Sequence, residues 1–98
     1  MNKYWTTSGY YEKLNYDPNW GAAHRLDGPA AEWYDGSWAW FKYGVRHRED
    51  GPAVYYPEET LKYFWYLDGQ SYTLEEFVKH TPYLKTDGER TMFYLKWK

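Results

Sequence analysis

Three histidines are the side chains of this 98-residue sequence best suited to proton transfer or metal ligation, and two of them open the same phrase. His24 begins HRLDGPA and His47 begins HREDGPA, so each imidazole has an aspartate three residues on, Asp27 or Asp50. An imidazole beside a carboxylate can relay a proton, and the pair can contribute to a divalent-metal site. The recurrence argues for a different role. A reaction centre is assembled once, whereas a residue returning at the same place in successive units serves the unit itself. His80 stands outside the phrase. No serine lies in a nucleophile-elbow context and no glycine-rich phosphate loop opens a helix. The absence of cysteine excludes disulfides, thiolate zinc sites and cysteine nucleophiles. The sequence therefore predicts no enzyme, no metal site and no cofactor.

The phrase belongs to a longer repeat. HRLDGPAAEWYDG, His24 to Gly36, is matched by HREDGPAVYYPEE, His47 to Glu59. Pro29 matches Pro52 and Trp33 matches Tyr56, while further on Trp40 matches Trp65 and Gly44 matches Gly69, which places a two-residue insertion between the halves of the second copy. Asp35-Gly36 between two aromatic runs signals a hairpin with a two-residue type I′ loop. That loop predicts Trp33 opposite Trp38 and Ala31 opposite Trp40, four residues on one core face. In the second copy the insertion lengthens the loop to Glu58–Leu61 and predicts Tyr56 opposite Tyr63 and Val54 opposite Trp65. DGPA reads as a rigid corner between hairpins, because proline holds the preceding residue extended and glycine adopts conformations closed to other residues.

The ends resemble worn copies of the unit. NWGAAHR, from Asn19, resembles KYGVRHR, from Lys42, with Ser8-Gly9 as the turn of a degenerate N-terminal repeat over 1–23. Full repeats cover 24–46 and 47–71. Thr73 with Glu76 forms a capping box, and Leu74, Phe77 and Val78 make an apolar stripe, so one short helix is expected over 74–80. Asp87-Gly88 predicts a C-terminal capping hairpin over 82–98. The fold class is mainly β: antiparallel hairpin repeats in a twisted sheet of a single domain, with that one helix.

Composition narrows the partners. Seven Trp, thirteen Tyr and four Phe mean that core and contact surfaces alike are built from rings. Twelve basic against fourteen acidic residues, a net of −2, supply no field for phosphates, so nucleic acid is not expected as a partner. No stretch approaches the roughly 20 apolar residues of a membrane span, so no membrane partner is expected, and the absence of cysteine fits a cytoplasmic protein best.

The arrangement HRxDGPAxxxxDGxxxWxxxGxRH with a later xLDGQxYTLEEF resembles the small DGPA-repeat proteins of tailed phages, loosely akin to MORN-type hairpin repeats. The resemblance spans Trp20 to Phe77 and implies an all-β repeat architecture, a phage origin and residence in the cytoplasm of the infected cell. It supplies no catalytic residue or ligand.

Function then rests on the ring surface. Tyr34, Phe41 and Tyr43 of the first copy and Tyr55, Phe64 and Tyr66 of the second are expected on the face away from the tryptophans, with Arg25, Arg46 and Arg48 as polar anchors. Tyr and Arg dominate interface energetics. The expectation is a small binding protein acting stoichiometrically on a host protein as an inhibitor or modulator, including of host defence. The alternative is a module that stacks carbohydrate or nucleotide on the same rings. Self-association through sheet edges is open to either.

Overall fold

The computed structural model describes residues 1–13 and 20–98, and the N-terminal repeat predicted over 1–23 falls partly outside them, at 14–19. The strands are β1 (Asn2–Thr6), β2 (Gly9–Lys13), β3 (Ala31–Glu32), β4 (Trp38–Ala39), β5 (Phe41–Lys42), β6 (Val45–Arg46), β7 (Val54–Tyr55), β8 (Tyr63–Leu67) and β9 (Gln70–Tyr72). Two helices follow, α1 (Leu74–His80) and α2 (Asp87–Trp97). Seven strands form one antiparallel sheet in the order β2-β1-β3-β4-β7-β8-β9, and β5 pairs with β6 separately. The mainly β fold is as the sequence indicates.

The register is not. Ala31 pairs with Ala39 and Glu32 with Trp38, one residue away from the expected pairing. The Trp33 amide donates to the Ser37 carbonyl and the Gly36 amide to the Trp33 carbonyl, so the loop is the three residues Tyr34 to Gly36. Only Gly36 has positive φ there, which makes a type I turn followed by a left-handed glycine rather than a type I′ turn. The second copy slips equally, with Val54 opposite Phe64 and Tyr55 opposite Tyr63. A one-residue slip turns a strand over, so Trp38 lies on the face opposite Trp33 and the four-residue tryptophan layer does not exist. Type I′ loops do occur one hairpin further along each repeat. At Tyr43-Gly44 and Asp68-Gly69 both residues have positive φ.

The repeat correspondence itself holds at the level of single hydrogen bonds. The Arg25 amide donates to the Phe41 carbonyl as Arg48 does to Tyr66, and Gly44 donates to Ala23 as Gly69 does to Arg46. The first strand joins the series: Trp5 donates to the Ala30 carbonyl as Trp40 donates to Ala53, and His24 donates to Trp5 as His47 does to Trp40. Residues 2–6 thus fill the place that 37–41 fill in the next unit, and the turn is Thr7-Ser8, with Gly9 opposite Thr6.

Each HRxDGPA corner is locked by its arginine. Arg48 Nε donates to Asp50 at 2.9 Å, Nη1 donates to the Pro52 carbonyl at 3.1 Å, and the guanidinium lies 4.2 Å from the Trp40 ring centroid. Arg25 does the same with Asp27, the Pro29 carbonyl and the Trp5 ring at 4.0 Å. Such a cation over an indole contributes about 0.5–2 kcal/mol. The other side of the guanidinium is glycine. A Cβ on Gly51 would stand 2.6 Å from Arg48 Cζ, and one on Gly28 would stand 2.7 Å from Arg25 Cζ. Neither glycine has positive φ, so close approach and not backbone freedom selects glycine here. The histidines secure the next turn. The Tyr43 amide donates to His24 Nδ1 at 3.0 Å and the Asp68 amide to His47 Nδ1 at 2.9 Å, which puts the ring proton on Nε2.

Two core clusters result. One gathers Ala30, Ala39, Ala53, Val54 and Phe41 beneath half-buried Trp5, Trp33 and Trp40; the other packs Trp65 and Leu67 against Phe77, Val78, Leu84 and Phe93 of the helical end. Phe77, 4.9 Å from Trp65, stands where an arginine covers the tryptophan of the earlier units. α1 matches its predicted bounds, capped at Thr73 with Glu76. The expected hairpin over 82–98 is instead α2. Thr86 and Glu89 form a second capping box, so Asp87-Gly88 is a helix start, and Phe93 and Trp97, one turn apart, face Trp65.

Two outcomes follow. Gly51→Ala should lower stability by about 1–3 kcal/mol through displacement of a guanidinium held on three sides. In an Arg48→Ala background the same change should cost much less, a non-additivity read from chemical denaturation. The Glu76 and Glu89 carboxyls are held below their usual range by backbone amides, from Thr73 for Glu76 and from Lys85 and Thr86 for Glu89. A carboxyl depressed on folding stabilises above its unfolded value and ceases to as pH falls through the folded one, so helix stability should decline on acidification below about 4.5. Glu76→Gln with Glu89→Gln keeps the caps and should flatten that decline in a pH series of thermal melts.

Candidate functional site

The residues predicted to form one contact face are dispersed by the true register. Phe41, 5% exposed, belongs to the core. Arg25 and Arg48 are committed to their corners. Tyr55 and Phe64 lie on opposite faces, because their partners are Tyr63 and Val54. Tyr66 is half-buried, with the exposed Arg46 guanidinium 5.5 Å from its ring and 5.8 Å from that of Phe41. Tyr43 is exposed on one side and stacked on His24 on the other, 4.0 Å between centroids. Tyr34, 83% exposed, projects from the first hairpin loop.

What the register assembles is a row. Directly paired residues of neighbouring strands share a face, so Glu12, Lys3, Glu32, Trp38, Tyr55 and Tyr63 follow one another across six strands. Behind them, on the opposite face, the equivalent row of Tyr4, Ala31, Ala39 and Val54 is buried. The aromatic half of this row, with Trp38 and Tyr55 half-buried and Tyr63 exposed, is continuous. Trp38 and Tyr55 centroids are 5.5 Å apart, Tyr55 and Tyr63 are stacked at 5.1 Å with 26° between planes, and Tyr63 meets Trp97 edge-on at 5.2 Å. Tyr55 and Tyr63 form a pair not bridged by backbone hydrogen bonds, the kind that brings side chains closest, since the Tyr56 amide donates to the Lys62 carbonyl next to them. The polar half carries charges of both signs. Lys3 lies between Glu12 and Glu32, Glu32 reaches Arg25 at 3.7 Å, and Tyr10 donates to Glu12 at 2.6 Å, which pushes its own hydroxyl up to about 12.

Sequence reasoning found Tyr55 and missed Trp38 and Tyr63. An Asp-Gly pair suits both a type I′ loop and the last two places of a three-residue loop, and nothing local separates them. The usable signal is the composition of the resulting rows: only the three-residue loop sets Ala31 against Ala39 in one layer and leaves rings and charges in the other.

Chemically the row presents aromatic rings at one end and charged side chains of both signs at the other. Its inner rings lie against one another, Tyr63 stacked on Tyr55 and Trp38 tilted against Tyr55. Among the described residues no three His, Asp or Glu side chains converge to hold a metal ion, and no helix is long and apolar enough to cross a membrane. His47 contacts Glu49 at 3.2 Å and the Asp68 carboxylate at 3.4 Å, and its Nδ1 is occupied by a backbone amide. A shallow groove of about 350 Å³ between the two type I′ turns is lined by Phe41, Gly44, Val45, Arg46 and Gly69. Compared with known proteins, the chain matches no family model, no curated protein and no solved structure.

Proposed function

We propose that this protein acts without catalysis, by binding another protein stoichiometrically through the row Trp38, Tyr55 and Tyr63 and the neighbouring Tyr34. The observation that carries the reading is the orientation of the rings. A surface that stacks sugars or nucleobases offers flat, free ring faces. Here Tyr55 and Tyr63 stack on each other and Trp38 lies against Tyr55, so the inner rings have neighbours where a flat ligand would need free faces. That is the mixed, pre-ordered chemistry of a protein–protein hot spot, in which rigid tyrosines give up little conformational entropy on binding. The phage resemblance makes a bacterial host protein the partner, inhibited or modulated in the cytoplasm of the infected cell. Carbohydrate or nucleotide stacking keeps one foothold, the free ring of Tyr34.

Affinity capture from bacterial lysate should recover one protein at near-equal molar yield. Tyr63→Ala should weaken that capture by about tenfold or more, the range for an interface ring, while far-ultraviolet dichroism stays that of the parent; Tyr55→Phe, which removes one hydroxyl, should give a smaller loss. A glycan or nucleotide that raises the melting temperature, combined with capture indifferent to both changes, would overturn the reading.

A further inference from the structure

The ring row runs alongside two loop tips. The loop Tyr34 to Gly36 closes one hairpin, and Pro57 to Leu61 closes the next, because Trp33 bonds to Ser37 and Tyr56 to Lys62. Side-by-side repeats bring the tips together: a Cβ on Gly36 would meet Pro57 Cγ at 3.6 Å. Between them the two loops carry Asp35, Glu58 and Glu59 and no lysine, arginine or histidine. The same tips expose apolar surface, Tyr34 at 83% and Leu61 at 73%. The Asp35 carboxylate accepts the Ser37 amide at 2.9 Å, which holds it below its usual range and ionised. The two corner arginines near this row are matched, Arg25 by Asp27 and Glu32 and Arg48 by Asp50. Glu58 and Glu59 face no cation on their own loop, and Lys62 opens the strand beyond it.

Resting on the protein-binding reading above, we infer that the partner presents a basic, apolar-bearing segment, whose lysines or arginines meet the Glu58, Glu59 and Asp35 tips while its apolar side chains meet Tyr34, Leu61 and the ring row. Two properties favour this occupant. Carboxylates without a cation partner among the described residues, beside the exposed Tyr34, Leu61 and Tyr63, reward a cationic polypeptide and repel nucleic acid or an acidic partner. The tips are also continuous with the row, since Trp38, Tyr55 and Tyr63 lie one residue inside the pairs that close the loops, so a single extended segment can engage both.

The test is selection of a displayed random peptide library on the immobilised full chain, with synthetic copies of the enriched peptides then titrated at low and high salt. Enriched peptides should combine basic with apolar residues. Their binding should weaken as salt rises and fall by about tenfold in Glu58→Lys with Glu59→Lys, the size of effect expected where charge is reversed at an interface. Glu58→Gln with Glu59→Gln, which leaves the loop uncharged, should lose less. Dichroism and thermal melting confirm that both doubles fold. Peptides that need Tyr63 but are neutral or acidic, or that ignore the charge reversal, overturn the basic-segment inference and leave the protein-binding reading standing. Peptides that ignore both Tyr63→Ala and Tyr55→Phe, or no enrichment at all, overturn the two together.

Discussion

A guanidinium held between a glycine and an indole is the interaction on which this structure turns. In each repeat the arginine after the histidine bends back over its own corner, bonds the aspartate two residues on and the proline carbonyl four residues on, and covers the tryptophan of the preceding strand. One side chain thereby ties three consecutive features of the chain. Planarity matters: a lysine could carry the charge but could neither stack on the indole nor donate in two directions at fixed geometry. The glycine is part of the same device, since the plane of the guanidinium occupies the space a Cβ would take. With the corner rigid, the next strand can enter the sheet in one register only.

That register decides what faces water. Strands of two residues hold little pairing energy of their own, so the faces are set by loops and corners rather than by long ladders. Alanines and Val54 fall in one layer, where small side chains let the sheet close on Phe41 and its half-buried tryptophan neighbours. Tryptophan, tyrosine and charge fall in the other. The arginine and aspartate of each corner neutralise each other there, and the uncommitted surface is the ring row with its acidic loop tips. The proposed contact surface thus lies between the corners, on residues that the corner motif itself does not contain. At the far end the helices complete the series: Phe77 takes over the covering role of the arginines, and the Thr81 hydroxyl, donated to the Glu49 carbonyl, fastens α1 to the second corner.

Much of this was legible in the residues, for identifiable reasons. The repeat, its insertion and the helix over 74–80 were readable because each rests on a local and redundant signal, the last on a cap and a stripe that agree. The register was not, because Asp-Gly serves two loop lengths and every pairing downstream inherits the choice, so the expected pairings of both copies differ from the observed ones by one residue in the same direction. The C-terminal Asp-Gly was misread for a related reason. Its meaning came from Thr86 and Glu89 on either side and from Phe93 and Trp97 a turn apart, a helical pattern that outweighs a turn dipeptide. The arginines could be seen to matter but not how, since their contacts reach a tryptophan far away in sequence for Arg25 and only eight positions back for Arg48.

Nuclear Overhauser effects between backbone α-protons test the central claim most directly, because facing α-protons in a pair without backbone hydrogen bonds are the closest across an antiparallel ladder. The corner-set register predicts strong α-to-α effects between Glu32 and Trp38 and between Tyr55 and Tyr63. Strong effects between Trp33 and Trp38 and between Tyr56 and Tyr63 would instead restore the two-residue loop, dissolve the ring row, and contradict the account.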